Sequence, residues 1–227
     1  MYNYKPTLQL DQFDYDLPKD LIAQFPSQKR DNSKMLVLNK ENKSFEHKFF
    51  LNIVDLLDEN DVLVMNNTKV IPARLIGKKD TGAVIEVFLL KEKSEKIWEA
   101  LIKPSKRIKP SSIIQVSKEM QVKAIEKVDD KWLVELIYEG GIYDILDKLG
   151  NIPLPPYIER NLSDEDLKNL DYERYQTVYA KNPGSVAAPT AGLHFTDEIL
   201  SQLEEKVVQI CYVSLNVGLG PLKPVKC

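Results

Sequence analysis

The stretch NPGSVAAPTAGLHFT, residues 182–196, is the part of this sequence whose residue types best suit chemistry rather than packing. Its small residues, proline and glycine let backbone approach a ligand closely. Thr196 can cap a helix that starts just beyond, which places unpaired N–H groups beside the loop. His194 in that setting is the candidate acid, base or hydrogen-bond partner. The plainer reading is a structural loop with a satisfied histidine. Thr190, Gly192 and Thr196 are the candidate substrate contacts of the same loop. His47, in SFEHKFF, has no comparable surroundings and reads as a surface histidine.

Upstream, Tyr172, Glu173, Arg174, Tyr175, Gln176, Thr177 and Tyr179 crowd hydrogen-bonding groups into one short stretch. If that stretch is helical, Tyr172, Tyr175 and Tyr179 share a face, as a core stripe or as a substrate platform. Tyr175, Gln176 and Tyr179 are carried forward as substrate contacts. Near the other end, NNTKVIPAR follows the end of a strand, where α/β folds place ligand contacts. Asn66, Asn67 and Thr68 supply neutral donors and acceptors there, and Arg74 a fixed cation. An ordinary turn is the alternative.

Two basic clusters stand out. Lys103, Lys106, Arg107 and Lys109 lie in IKPSKRIKP, and Lys69, Arg74, Lys78 and Lys79 form the second. Each alone reads as a solvated turn; flanking one β-rich region, they make a candidate phosphate-facing surface. The net charge of −3 argues against a protein that coats nucleic acid through its overall field. There is no Walker loop, no GxGxxG after a strand and no GxSxG elbow. Two histidines and two cysteines, Cys211 and Cys227, supply neither a metal set nor a disulfide framework, so no metal site is expected and a reduced compartment is.

The elements that must position these groups follow from periodicity. Asp16 is expected to cap a short helix with Pro18 in its first turn, in DLPKDLIAQF. MLVL (35–38) and VLVM (62–65) read as buried strands. Between them Phe49, Ile53, Leu56 and Leu57 recur at helical spacing until the polar turn Asp58–Asp61. Strand–helix–strand order implies α/β architecture. After Arg74 the texture changes. AVIEVFLL, IWEALIK, SIIQV, MQVKAIEKV and KWLVELIYE are short, β-branched and partly alternating, which predicts a small antiparallel barrel or sandwich.

Helical pattern returns in IYDILDKLG, with Gly150 as C-cap, and PLPPYI (153–158) must be extended. Ser163 is expected to cap SDEDLKNL, Asn182–Ser185 to form a turn, and VVQICYVSLNV to be a strand ending at Gly218. The expected organisation is an α/β (α+β) main domain in two parts, 1–73 and 139–227, with a β-barrel inserted at 74–138. Apolar residues make up 43% of the 227 and charged residues 29%, ordinary for a soluble globular protein. No apolar run is long enough for a membrane span, and the N-terminal residues do not read as a secretion signal.

Taken in order, FDYDLPKDLIAQFP, RDNSKMLVLNK, NDVLVMNNTKVIPARLIG, WEALIKPSKRIK, GNIPLPPYIER, ERYQTVYAKNPGSVAAPTAGLHFT and the VGLG turn resemble the S-adenosylmethionine:tRNA ribosyltransferase-isomerases of queuosine biosynthesis. The resemblance covers nearly the whole chain, and YQTVYA followed by GSVAAPTAGLHFT is its most specific part. It implies an α/β domain with an inserted β-barrel. It also implies transfer of the ribosyl part of S-adenosylmethionine to 7-aminomethyl-7-deazaguanine at the tRNA wobble position, giving epoxyqueuosine-tRNA, adenine and methionine. S-adenosylmethionine is then a co-substrate, with no metal or prosthetic group. His194 becomes the leading proton-transfer residue, and Lys103, Lys106, Arg107 and Lys109 the expected tRNA contacts. A cytoplasmic protein, monomeric rather than dimeric, is expected.

Two departures accompany the resemblance. The family pattern before VGLG carries TLH, with TF after it; here stand Ser214, Leu215 and Asn216, then Pro221 and Leu222. Asn216 cannot titrate. Family members also continue for roughly another third, so these residues taken alone are expected to be poorly active or inactive. A tRNA-binding module without chemistry is the competing expectation.

Overall fold

The computed structural model describes residues 9–161 and 164–220. Strands β1 (Lys34–Asn39) and β2 (Ser44–Phe49) form an antiparallel hairpin, and a single helical turn α1 (Ile53–Leu56) leads to β3 (Val62–Asn66) and β4 (Thr68–Val70). The barrel follows: β5 (Arg74–Lys78), β6 (Val84–Ser94), β7 (Ile97–Lys103), β8 (Ile113–Gln115), β9 (Met120–Val128) and β10 (Lys131–Tyr138). These six antiparallel strands close in the order β10-β7-β6-β5-β8-β9. Then come α2 (Ile142–Leu149), α3 (Glu165–Arg174), β11 (Asn182–Ser185), α4 (Asp197–Glu205) and β12 (Gln209–Val213).

Alternation builds the barrel. In β7 every second residue, Trp98, Ala100 and Ile102, points inward, and β9 and β10 do the same with Met120, Val122 and Ala124, and with Trp132, Val134 and Leu136. The five expected runs are all strands, and β5 is the sixth that closes the ring. Full closure leaves no unpaired edge. Leu75, Ile85, Leu89, Ile114 and Leu136 are completely buried, each worth roughly 1.5–3 kcal/mol of transfer free energy. Ile145 and Leu146 of α2 continue this core.

Where the chain enters and leaves the barrel, the two crossings are stitched together. Arg74 N donates to Asn151 O (3.1 Å), and Asn151 N to Arg74 O (2.9 Å). Gly150 closes α2 as expected, but in an extended rather than left-handed conformation. Its glycine is required because a Cβ would overlap the Pro72 carbonyl oxygen.

Outside the barrel the sheets are small: β3 pairs parallel with β12, and β4 parallel with β11. Parallel pairing gives the α/β character. α4 lays Ile199, Leu200 and Leu203 against Met65 of β3, and Phe195 and Val208 complete that core. Lys206 at its end donates to Val54 O and Leu57 O (2.6 and 2.7 Å), tying α4 to the last turn of α1.

Several expected details differ. DLPKDLIAQF forms only a 3-10 turn, Lys19–Leu21, because so short a segment lacks packing to offset helix nucleation; Leu21 stays exposed. MLVL is a strand but not a buried one, since the β1–β2 hairpin leaves Leu36 and Leu38 exposed. VLVM likewise buries one face only, with Val62 and Val64 exposed. The cap of α3 is Asp164, whose carboxylate accepts from Leu167 N (3.1 Å); Ser163 lies outside the described residues. Asn182–Ser185 is strand β11 rather than a turn, possible for Pro183 on a short edge strand. The last strand stops at Val213, before Gly218, and Pro221 and Leu222 fall outside the described residues.

Candidate active site

The segment after α3 is organised as the sequence suggests at its end and differently at its start. Thr196 caps α4 through Ile199 N (3.3 Å), and Asp197 and Glu198 occupy the first turn. Before it, Thr190–His194 forms a 3-10 turn. With three residues per turn, positions three apart share a face. Thr190 and Leu193 therefore look one way and Gly192 and Phe195 another, with His194 between.

On the Gly192 side sits Tyr179. A Cβ at residue 192 would overlap the Tyr179 hydroxyl, so the glycine is needed to seat that phenol. Tyr179 meets Tyr212 of β12 at 5.8 Å between ring centroids and Phe195 at 6.4 Å. Burial, and secondarily Tyr212, push the Tyr179 phenol up to about 12. It stays protonated at neutral pH and can act as a donor, not a base. The His194 ring packs on Phe50 at 5.2 Å, and Phe50 in turn meets Phe195 edge-on at 4.9 Å.

The expected tyrosine face does not form. α3 ends at Arg174, so Tyr175 caps it and Tyr179 lies in the turn beyond. Tyr172 points the other way and donates to Asp147 Oδ1 (3.0 Å). Tyr175 is buried beside Val70, Ile152 and Ala188. Burial raises its phenol, against the opposing effect of a hydrogen bond from the Ala188 backbone.

The opposite face of the 3-10 turn roofs a cavity of about 240 Å³. Its walls come from residues 23–26, from the Pro-rich 154–158, and from Arg174, Tyr175, Thr190 and Leu193. Arg160 and Asp171, also in the wall, form a nearly buried bidentate pair at 2.9–3.1 Å. Tyr175 and Thr190 are substrate candidates from sequence, and Arg174 belongs to the hydrogen-bonding run 172–179; Phe25, Tyr157 and Leu193 carry no such signal beyond the proline rigidity at 153–158.

The strand-end residues hold the fold together. Asn66 Oδ1 accepts from Thr68 N and Leu215 N (3.2 and 3.0 Å), and its Nδ2 donates to Leu215 O (2.8 Å). Asn67 Oδ1 accepts from Ser214 Oγ (2.6 Å) and Asn182 Nδ2 (3.2 Å). Thr68, fully buried, donates to Asn216 Oδ1 (2.8 Å). Gln176 clamps the Val70 backbone, accepting its N–H (2.8 Å) and donating to its carbonyl (3.1 Å). Arg74 is paired with Glu86 (2.6 Å) on the barrel wall. Each of these groups is thus engaged with backbone or with another side chain.

The basic clusters do converge in part. Lys103, Lys106, Arg107 and Lys109 are all exposed around the 3-10 turn Ser105–Arg107. Lys79 Nζ donates to Arg107 O (3.2 Å), and Lys78, Lys79 and Lys109 line one open depression with Ser111 and Ser112. Lys69 and Arg74 of the second cluster do not line that depression. His47 lies exposed on β2, its ring edge-on to Phe45. Among the described residues no group of three or more His, Cys, Asp or Glu could hold a metal ion, and no helix is long and apolar enough to cross a membrane.

Comparison with known proteins places this arrangement in a family. The chain is 51% identical over 220 residues to an S-adenosylmethionine:tRNA ribosyltransferase-isomerase of Sulfurihydrogenibium sp. (strain YO3AOP1), covering 96% of this chain and 64% of that protein. It is 46% identical over 225 residues to the protein of the same name from Fusobacterium nucleatum, covering 98% and 62%. The chain thus spans less than two thirds of the curated relatives it matches. A crystal structure of an S-adenosylmethionine tRNA ribosyltransferase from Thermotoga maritima is 29% identical, covering 91% of this chain and 58% of that one, with a TM-score of 0.37. The family model described as "Queuosine biosynthesis protein" matches residues 10–227, and the chain belongs to that family.

Proposed function

We propose that this chain carries the reacting site of an S-adenosylmethionine:tRNA ribosyltransferase-isomerase, acting in the cytoplasm as a monomer. The single observation that supports this best is the 3-10 turn Thr190–His194, which packs the His194 imidazole on Phe50, seats the Tyr179 phenol against Gly192 and roofs a cavity on its other face. The barrel, residues 74–138, is read as an inserted domain whose basic face holds tRNA phosphates through Lys103, Lys106, Arg107 and Lys109.

The proposed reaction needs four proton or bond events. The 5′ carbon beside the sulfonium loses a proton to a positioned base. The carbanion so formed bonds to C1′ as adenine departs, adenine taking a proton from a donor rather than leaving as an anion. The amine of 7-aminomethyl-7-deazaguanine then bonds to C1′ and gives up a proton as the bond from C1′ to the ring oxygen breaks. The freed oxygen closes the epoxide on the 5′ carbon, expels neutral methionine and leaves epoxyqueuosine in the tRNA. His194 is the proton-transfer residue of this scheme, and Tyr179, held protonated by burial, is a donor. S-adenosylmethionine is consumed as a co-substrate, and the scheme draws on no metal or prosthetic group.

A second reading, tRNA binding without chemistry, is favoured by one observation. Asn216 has its amide engaged with Thr68 and cannot transfer a proton. Measuring tRNA affinity and adenine release on one sample separates the two readings. Release that requires both tRNA and S-adenosylmethionine supports the enzyme; tight tRNA binding with no release supports the module.

A further inference from the structure

We propose that Arg30 is the positioning residue of His194: its guanidinium pins the backbone that carries the imidazole, and the turn it opens anchors the ring on which that imidazole packs. This rests on the reading of His194 as the proton-transfer group and adds what aims it.

The need for such a residue comes first. Among the described residues the His194 imidazole packs on Phe50 and makes no hydrogen bond. A proton-transferring imidazole is ordinarily oriented by a hydrogen bond from one ring nitrogen to a carbonyl or carboxylate. Here its aim falls to the backbone of the 3-10 turn and to the Phe50 ring. The turn spans only Thr190–His194, and 3-10 hydrogen bonds are too poor in geometry to hold so short a piece by themselves.

Arg30 supplies the first hold. Its Nη1 donates to Leu193 O (3.2 Å), the carbonyl immediately before His194, and to Arg174 O (3.4 Å). Its Nη2 donates to Glu173 O (2.8 Å). All three carbonyls lie in the last turns of their helices, where no partner exists within the helix. One planar fork thus joins the ends of two elements, and its charge complements the negative end of the α3 dipole. Arg174 returns the contact, donating through Nη2 to Ser27 O (2.8 Å). Burial first and Arg174 second lower the Arg30 pKa, against Glu173. A guanidinium keeps its charge through such a shift, where an ammonium gives it up more readily.

The second hold runs through the same segment. Arg30 opens the 3-10 turn Arg30–Asn32, and Ser33 just beyond it accepts Phe50 N at its carbonyl (2.8 Å). Ser33 Oγ donates to Arg30 O (3.4 Å) and lies 3.2 Å from Ser27 Oγ. Phe50 then meets both His194 and Phe195. Residues 27–33 therefore fix the backbone before His194 and the ring beside it. Two separate links converge on one side chain, which a brace placed for stability alone does not require.

Proton magnetic resonance of the two histidines, with single-turnover adenine release on the same samples, tests the assignment. In the native chain the Phe50 ring displaces the His194 ring signals, while His47, exposed on β2, is the internal reference. Arg30→Gln is expected to move the His194 signals alone and to lower adenine release ~10-fold or more, with tRNA and S-adenosylmethionine affinities retained. Arg30→Lys, which keeps the charge but not the fork, falls between the two and covers a failure of Arg30→Gln to fold. Leu136→Ala, which weakens the barrel core without touching the turn, leaves the imidazole signals and the rate of the folded chain unchanged. His194 signals at native positions in both Arg30 variants, or release lowered only as far as the folded fraction falls, overturn the proposal. If the signals move while His194→Ala releases adenine at the native rate, Arg30 aims an imidazole the reaction does not use: the functional reading falls and this assignment stands.

Discussion

The barrel and the parallel-strand region solve the same stability problem in opposite ways. The barrel closes its hydrogen-bond ladder on itself and buries a core of Leu, Ile, Val and Ala with Met120, Trp98 and Trp132. The region around β3, β4, β11 and β12 has two-stranded sheets and exposed apolar residues, including Val62, Val64, Tyr212 and Leu215. Besides the small core under α4, it is held by single side chains that clamp backbone: Gln176 on Val70, Asn66 on Leu215, Arg30 on the end of α3, and Lys206 on α1. The first arrangement resists change through packing, the second through hydrogen bonds at a few points. Residues proposed for chemistry lie in the second, where a short element can be aimed without disturbing a core.

The sharpest break of this contrast is a core truncation. Leu136→Ala in the barrel is expected to cost about 2–5 kcal/mol in denaturant unfolding, whereas Val64→Ala on the exposed face of β3 should stay within about 0.5 kcal/mol. Equal costs would mean that the two regions are not built differently. Next in size is Gln176→Ala, which strips both partners from Val70 and leaves its part-buried amide unmet; a loss of roughly 1–3 kcal/mol is expected. A neutral result would show that the clamp is not what holds β4.

Smaller still are the effects of charge. Replacing Lys103, Lys106, Arg107 and Lys109 with Ala should lower the log–log salt slope of tRNA binding by about one unit for each phosphate no longer neutralised. An unchanged slope returns the cluster to an ordinary surface turn. The smallest effect is that of Tyr179. Its folded phenol titrates near 12, above an unfolded value of about 10, so the folded state binds the proton more tightly. The stabilisation is complete below pH 10 and is lost as pH rises toward 12. Ultraviolet titration should show one phenol ionising late, and Tyr179→Phe should remove it; an unchanged curve would contradict the seating of Tyr179 against Gly192.

Legibility followed the same divide. The barrel strands could be read because closure buries every second residue, and burial imposes alternation on sequence. β11 could not be read, since Asn-Pro-Gly-Ser is turn chemistry by local rules and becomes a strand only through parallel pairing with β4. The β1–β2 hairpin was half legible: its exposed Leu36 and Leu38 look like core because nothing local distinguishes an uncovered apolar strand from a covered one. At the site, the cap at Thr196 and the setting of His194 are local and were visible. The cavity was not, because Phe25, Tyr157, Arg174 and Leu193 come from distant segments that only the fold brings together. Asn66, Asn67, Thr68 and Gln176 read as ligand contacts from sequence, and the fold adds that each also bonds backbone or a neighbouring side chain, which sequence does not show because a backbone clamp and a substrate clamp use the same side chains.

The central claim is that the turn ending in His194 performs proton transfer during ribosyl transfer. Single-turnover adenine release, with the chain in excess over substrate tRNA and saturating S-adenosylmethionine, tests it most directly. The account predicts release that requires both substrates, slow in absolute rate and lowered about 10²-fold or more in His194→Ala while tRNA affinity is retained. Release at an undiminished rate in that variant, or none from the native chain with tRNA demonstrably bound, would contradict it.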